Sequence, residues 1–165
     1  MSSDDSQSKG TEASPADERI DRLSYLSQIP FARHLGFKLV KFEGGESELH
    51  YTAKAEHLNT FDVTHGGACM TLLDITMAAA ARSVAPETGV VTIEMKTSFM
   101  QPSVGPLHAR GTLIHRTATL AFTEARIYDE QERVCAHATG TFKYVKRRLP
   151  TGPASANEMR PPSTD

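Results

Sequence analysis

The chain has 165 residues, enough for one domain with a substantial hydrophobic core. Its 18 basic and 20 acidic side chains nearly balance, so net charge gives no argument for a nucleic-acid or anionic-membrane partner. No apolar run is long enough to cross a bilayer, and the Ser- and Asp-rich N-terminus lacks the apolar stretch of a secretion signal, so we expect a cytoplasmic protein.

The two ends of the chain differ in composition from its middle. Residues 1–17 and 149–165 are rich in Ser, Asp, Glu, Pro and Thr and offer little apolar surface to bury. Such segments do not fold by themselves, so we predict disorder at both ends. The ordered domain is expected to span residues 18–148.

The first elements of that domain are a helix and a hairpin. Between Glu18 and Ile29 an apolar residue recurs every third position, which predicts a short amphipathic helix ended by Pro30. A turn is expected over residues 31–34. Residues 36–53 alternate in polarity on either side of a Gly-Gly turn, which predicts a β-hairpin. The polar loop over residues 54–64 is long for a mere connector.

A helix beginning near Gly66 and ending near Ser83 is predicted to form the centre of the domain. Most of its sides are apolar, which is typical of a buried helix. Cys69 in this helix and Cys135 in a later strand show no metal or redox spacing and are interpreted as buried free thiols. The remaining chain alternates in polarity over four segments, residues 89–100, 107–115, 120–128 and 133–145. We therefore predict an α+β fold in which a hairpin and an antiparallel meander wrap around one long helix.

The sequence His65-Gly66-Gly67 stands at the start of the central helix. A helix N-terminus presents unpaired N–H groups and about half a positive charge. Glycines allow a ligand to approach these groups closely, so the N–H groups of Gly66 and Gly67 are candidates for an oxyanion hole. The alternative is that the glycines only permit a tight turn.

Asp74 is the second candidate, because a carboxylate is unfavourable inside an apolar helix. It is either kept for chemistry, exposed on a narrow polar side, or hydrogen-bonded to Thr71. His65 is expected to position the turn, and Asn59 to bind substrate or water or to shape the loop. No metal-ligand spacing is present, and no metal is assigned.

Taken together, these residues resemble the PaaI-like branch of the hotdog-fold acyl-CoA thioesterases. Asn59 stands six residues before His65, and Asp74 nine residues after it. Further likeness lies in Val91-Thr92-Ile93-Glu94-Met95, in Phe99-Met100-Gln101-Pro102 and in Ala138-Thr139-Gly140-Thr141-Phe142. The resemblance covers residues 32–146 and implies a hotdog fold.

This resemblance also implies a set of roles. Asp74 would be the catalytic carboxylate, acting as general base or as nucleophile, and the Gly66 N–H would polarise the thioester carbonyl. Asn59 and His65 would orient thioester or water, and Thr92 would help to place the water. In such enzymes the counterparts of Thr92 and Asn59 come from different sides of a dimer-interface site. The members form dimers that commonly pair into homotetramers, and they need no metal or redox cofactor.

The CoA part of an acyl-CoA substrate is anionic and would lie along the surface. Gly67 is a candidate for substrate contact, and Arg116, Thr117 and Thr119, at a bend between two strands, are candidates for its phosphates or pantetheine arm. Two other functions are weighed against hydrolysis. A non-catalytic acyl-CoA-binding or ligand-sensing module on the same fold would have no need for Asp74. A hydratase would need an Asp about five residues before a His, which His65 lacks.

Overall fold

The computed structural model describes residues 24–146, so both segments predicted to be disordered, and residues 18–23 of the predicted first helix, lie outside it. The described part begins with a 3-10 helix, Ser24–Gln28. Helix α1 (Pro30–Leu35) follows. The preceding helical segment ends before Pro30, as predicted, but the turn predicted over residues 31–34 is wrong, because Pro30 also begins a helix. Proline suits the first position of a helix, where its missing N–H has no partner to lose.

The predicted hairpin is confirmed. Strand β1 (Lys38–Glu43) pairs with β2 (Glu46–Thr52) in antiparallel register. Gly44 and Gly45 connect them with φ values of 60° and 86°, a conformation that favours glycine and matches the twist of the strands. A second 3-10 helix, Ala55–His57, lies in the following polar loop.

The central helix α2 (Gly66–Ser83) has the predicted bounds and forms the middle of the core. Leu72, Leu73 and Met77 are fully buried against the sheet. Gly111 of the sheet lets the helix backbone approach closely, because a Cβ there would lie 2.9 Å from the carbonyl oxygen of Thr76. Within residues 24–146, no helix is long and apolar enough to span a membrane.

Four strands follow the helix: β3 (Thr88–Phe99), β4 (Pro106–Arg116), β5 (Leu120–Tyr128) and β6 (Val134–Lys146). The antiparallel sheet has the order β1-β2-β4-β5-β6-β3. Strands β4 to β6 form the predicted meander, but β3 does not lie next to β4. Both sides of β4 are occupied by β2 and β5, so β3 takes the place beside β6. It is therefore an edge strand, and this position determines the geometry of the site below.

Candidate active site

His65 forms the N-cap of helix α2. Its Nδ1 accepts a hydrogen bond of 2.9 Å from the Gly67 N–H, which agrees with the positioning role predicted for it. A Cβ on Gly67 would lie 3.1 Å from the same Nδ1, so this glycine makes room for the imidazole. The expectation that both glycines offer free donors is corrected, because the Gly67 N–H already has a partner.

The Gly66 N–H is the free donor at this helix end. The preceding amides are paired, Thr64 with the Ser103 carbonyl and His65 with the His57 carbonyl, both at 2.9 Å. Within the described residues, the Gly66 N–H has no hydrogen-bond acceptor. One side of Gly66 faces the ring of Phe99, which lies 3.5 Å from the position that a Cβ would take. A single N–H at the positive end of an 18-residue helix is thus available to polarise a carbonyl.

Asp74 lies two turns further along α2 and is half-buried. Its Oδ1 accepts a hydrogen bond of 2.7 Å from the Thr92 hydroxyl on β3. The predicted alternative partner, Thr71, instead donates to the Gly67 carbonyl. Burial raises the pKa of Asp74, and the hydrogen bond from Thr92 opposes this effect in part. A carboxylate that is less solvated than usual is a stronger base, as proton abstraction from water requires.

A β-bulge in strand β3 aims Thr92 at this carboxylate. The β3–β6 register slips between Thr92 and Glu94, so Ile93 has no partner on β6 and is 55% exposed. Thr92 is paired with the buried Phe142 on the helix side of the sheet. Glu94 points to the outer side, where it accepts a hydrogen bond of 2.8 Å from Thr141. Bulges often lie beside active sites because they redirect a side chain in this way.

Asn59 shapes the loop that precedes the helix. Its Oδ1 accepts hydrogen bonds from the Phe61 N–H at 2.9 Å and from the Val63 N–H at 3.4 Å. Asp62, within this loop, has a positive φ of 56°. The Asn59 side-chain NH₂ has no acceptor among residues 24–146 and is available to a ligand. The structure therefore gives Asn59 the turn role, and leaves the substrate role as a prediction.

Gly66 and Asp74 do not meet within one protomer. Eight residues of α-helix separate them, an axial distance of about 12 Å. Between them runs an uncovered stripe of the helix, on which Met70 is 41% exposed. The adjacent edge of β3 adds Phe99 at 54% exposure. Donor and carboxylate thus lie at the two ends of one apolar seam, which is named the α2–β3 seam below.

The residues predicted for CoA lie near the C-terminal end of α2. Arg116 donates to the Val84 carbonyl at 3.4 Å, just beyond that end. Thr117 fixes the β4–β5 bend, since its hydroxyl accepts from the N–H groups of Thr119 and Leu120. The structure does not bring these residues to Gly66 of the same chain, and their contact with CoA stays a prediction.

The described cysteines and cavities lie apart from this seam. Cys69 and Cys135 are buried free thiols, as predicted. A cavity of about 520 Å³ lies at the end of the β1–β2–β4 region and is lined by Lys38, Lys54 and other residues, but not by Asp74 or Gly66. Within residues 24–146, no group of three or more His, Cys, Asp or Glu side chains could hold a metal ion.

The model of the thioesterase superfamily matches residues 61–136, which include the helix, Asp74 and Thr92. A protein of Saccharolobus solfataricus named "putative esterase" is 27% identical over 118 residues, 71% of this chain and 84% of that protein. A protein of the same description from Thermoplasma acidophilum is 23% identical over 118 residues, 71% of this chain and 89% of that protein.

Solved structures share the fold. The PaaI protein from the phenylacetic acid degradation operon of E. coli has a TM-score of 0.69 at 21% identity, covering 74% of this chain and 88% of that chain. A Haemophilus influenzae thioesterase has a TM-score of 0.69 at 21% identity, covering 75% of this chain and 88% of that chain. A conserved Pseudomonas aeruginosa protein has a TM-score of 0.69 at 23% identity, covering 76% of this chain and 98% of that chain. At this level of identity the likeness establishes the hotdog fold.

Proposed function

We propose that this chain, whose residues 61–136 match the model of the thioesterase superfamily, hydrolyses an acyl- or aryl-CoA thioester to the free acid and CoA. The family supports thioester hydrolysis in general, and the CoA ester and the residue roles are our proposal. The observation that carries it is the pairing of Asp74 with Thr92 at one end of the α2–β3 seam and the free Gly66 N–H at the other.

The proposed reaction uses both groups on one thioester. The Gly66 N–H binds the carbonyl oxygen and stabilises the negative charge that develops there in the tetrahedral transition state. Asp74 as general base takes a proton from water, whose oxygen bonds to the carbonyl carbon. The carbon–sulfur bond then breaks, and the CoA thiolate leaves and is protonated. If Asp74 instead acts as nucleophile, its oxygen attacks the carbonyl carbon, the carbon–sulfur bond breaks with departure of the CoA thiolate, and water then hydrolyses the resulting mixed anhydride to the free acid and the Asp74 carboxylate.

Each site of this kind requires two protomers. Because Gly66 and Asp74 of one chain are about 12 Å apart, a second copy must bring its own Gly66 to Asp74. Strand β3 is a 12-residue edge strand, and the unpaired backbone groups of a long edge strand favour pairing with another strand. We therefore propose a two-fold dimer in which the α2–β3 seams of two copies cover each other, with Met70 close to the axis, midway between the two groups.

The first test measures free thiol released from a panel of acyl-CoA esters by the wild-type protein and by Asp74→Asn. The asparagine keeps the size of the side chain and its acceptor for Thr92, but it neither takes a proton nor attacks a thioester readily. We expect the wild type to release CoA and Asp74→Asn to lose at least about a hundredfold in kcat/KM. Binding of acyl-CoA by the wild type without release of thiol would contradict hydrolysis and favour the binding module.

The second test is complementation between subunits. Gly66→Pro removes the N–H and should preserve the helix, since proline is well suited to the first helical position and His65 already has φ −58° and ψ 137°, which precede proline readily. Its Cβ would lie 3.5 Å from the Phe99 ring, an ordinary contact distance. A mixed dimer of Asp74→Asn and Gly66→Pro has two composite sites. One site contains both substitutions and is inactive, while the other contains neither and is intact. Equal mixing of the two inactive variants should therefore restore about one quarter of wild-type activity. A site within one chain would give none.

A further inference from the structure

Phe99, the last residue of β3, occupies an unusual position for a large aromatic side chain. Its ring lies against Gly66, with Cζ 3.5 Å and Cε1 3.7 Å from the position that a Cβ would take. It is nevertheless 54% exposed, while Ala136, its partner on β6, is fully buried. Half of an apolar ring is thus presented to solvent directly beside the free Gly66 N–H.

Two contacts within one protomer fix how the seam is arranged. Thr92 contacts Asp74, and Phe99 contacts Gly66, so the order along β3 follows the order along α2 in reverse. A two-fold axis that brings the partner's Gly66 to Asp74 must carry the partner's Phe99 with it. Each composite site then has Thr92 on one side and the partner's Phe99 on the other.

From this arrangement we infer that Phe99 determines acyl specificity by forming the wall that contacts the acyl group next to the carbonyl. The inference rests on the proposed function and deepens it. An exposed aromatic face beside a carbonyl-binding donor favours an acyl group with an apolar, planar body over a short acyl group such as acetyl. Met70, also exposed on the seam, adds a thioether that adapts to such a ring.

Phe122 provides a matched control. It is also a partly exposed phenylalanine, at 37%, but its ring stacks on His115 with centroids 6.2 Å apart. Its neighbours Ala121 and Thr123 are buried on the helix side, so Phe122 lies on the outer face of the sheet. Truncation of Phe122 therefore removes a similar aromatic surface without touching the α2–β3 seam.

The experiment compares kcat/KM for benzoyl-CoA and acetyl-CoA in the wild type, Phe99→Ala and Phe122→Ala. We expect the benzoyl-to-acetyl ratio to fall about tenfold in Phe99→Ala and to stay unchanged in Phe122→Ala. An active wild type whose ratio is unaffected by Phe99→Ala would overturn this inference alone. A wild type that hydrolyses neither ester nor any other acyl-CoA would overturn the proposed function together with it.

A second measurement does not depend on turnover. The chain contains no tryptophan, so Phe99→Trp and Phe122→Trp would each carry a single indole. On addition of S-benzyl-CoA, a thioether that is not hydrolysed, the emission of Phe99→Trp should shift to shorter wavelength as the ligand excludes water. The emission of Phe122→Trp should not move. Equal responses of the two variants, or no response in Phe99→Trp at concentrations that inhibit the wild type, would overturn the inference.

Discussion

The hydrogen bond from Thr92 to Asp74 can be removed with little change in shape. Thr92→Val keeps the branched side chain that a strand favours and deletes only the hydroxyl, which donates to Oδ1 at 2.7 Å. A hydrogen bond to a charged group contributes about 1.5–3 kcal/mol, and the exposure of Thr92 argues for the lower end of this range. We expect the loss of the orientation that this bond gives the carboxylate to lower kcat/KM about tenfold, at about 1.4 kcal/mol for each factor of ten, although the released carboxylate is the stronger base.

The pH dependence of the same variant has a definite sign. The hydroxyl stabilises the ionised carboxylate, so it holds the pKa of Asp74 below the value that burial alone would produce. Without it the protonated form persists to higher pH. The acid limb of the profile of kcat/KM against pH, where Asp74 loses its proton, should therefore move to higher pH in Thr92→Val.

Thr141→Val is the control for this prediction. Thr141 also donates to a carboxylate, Glu94, at 2.8 Å, but does so on the outer face of the same strand pair. It should leave both kcat/KM and the pH profile unchanged, measured by thiol release across a range of pH. The reasoning would be refuted if the two variants behaved alike, because the hydroxyl of Thr92 would then have no special relation to the reacting group.

Three further substitutions test the structure around the site. Asp74→Asn should raise Tm by about a few degrees at neutral pH. Burial raises the pKa of Asp74, so at higher pH its ionised form destabilises the folded state, and the asparagine removes this effect. The gain in Tm should vanish as pH falls through the raised pKa and the wild-type carboxyl becomes protonated. Gly67→Ala should cost about 1 kcal/mol in urea unfolding, because its Cβ would lie 3.1 Å from the capping Nδ1 of His65. Gly111→Ala should cost about 1–3 kcal/mol, because its Cβ would lie 2.9 Å from the Thr76 carbonyl.

Local patterns were sufficient to predict most of the elements. The bounds of α2 follow from a glycine turn and an apolar run, and all six strands lie where alternation and turns predict them, within two residues. The fold class is confirmed, and the thioesterase superfamily model matches residues 61–136. The error at Pro30 arose because proline both ends and begins helices, and its local sequence alone did not decide between these roles.

What sequence patterns missed depends on contacts between distant residues. Strand β3 lies beside β6 because β2 and β5 occupy both sides of β4, and these strands come from distant parts of the chain. The bulge at Ile93 interrupts an alternation that otherwise reads as regular. The hydrogen bond from the Gly67 N–H to His65 can be predicted only when the orientation of the imidazole is known. Phe99 stands out in the sequence only as the start of Phe99-Met100-Gln101-Pro102, because nothing local indicates that it contacts Gly66.

The position of β3 links assembly of the proposed dimer to the basicity of Asp74. As an edge strand it leaves the α2–β3 seam uncovered, and the same seam carries Asp74, half-buried in one protomer. In the proposed dimer, the contact that supplies the partner's Gly66 N–H also removes water from Asp74. Desolvation favours the protonated form, so assembly would raise the pKa of Asp74 further and make its carboxylate more basic. A protomer alone would then lack both the donor and part of the basicity of Asp74, which has no cationic partner among residues 24–146.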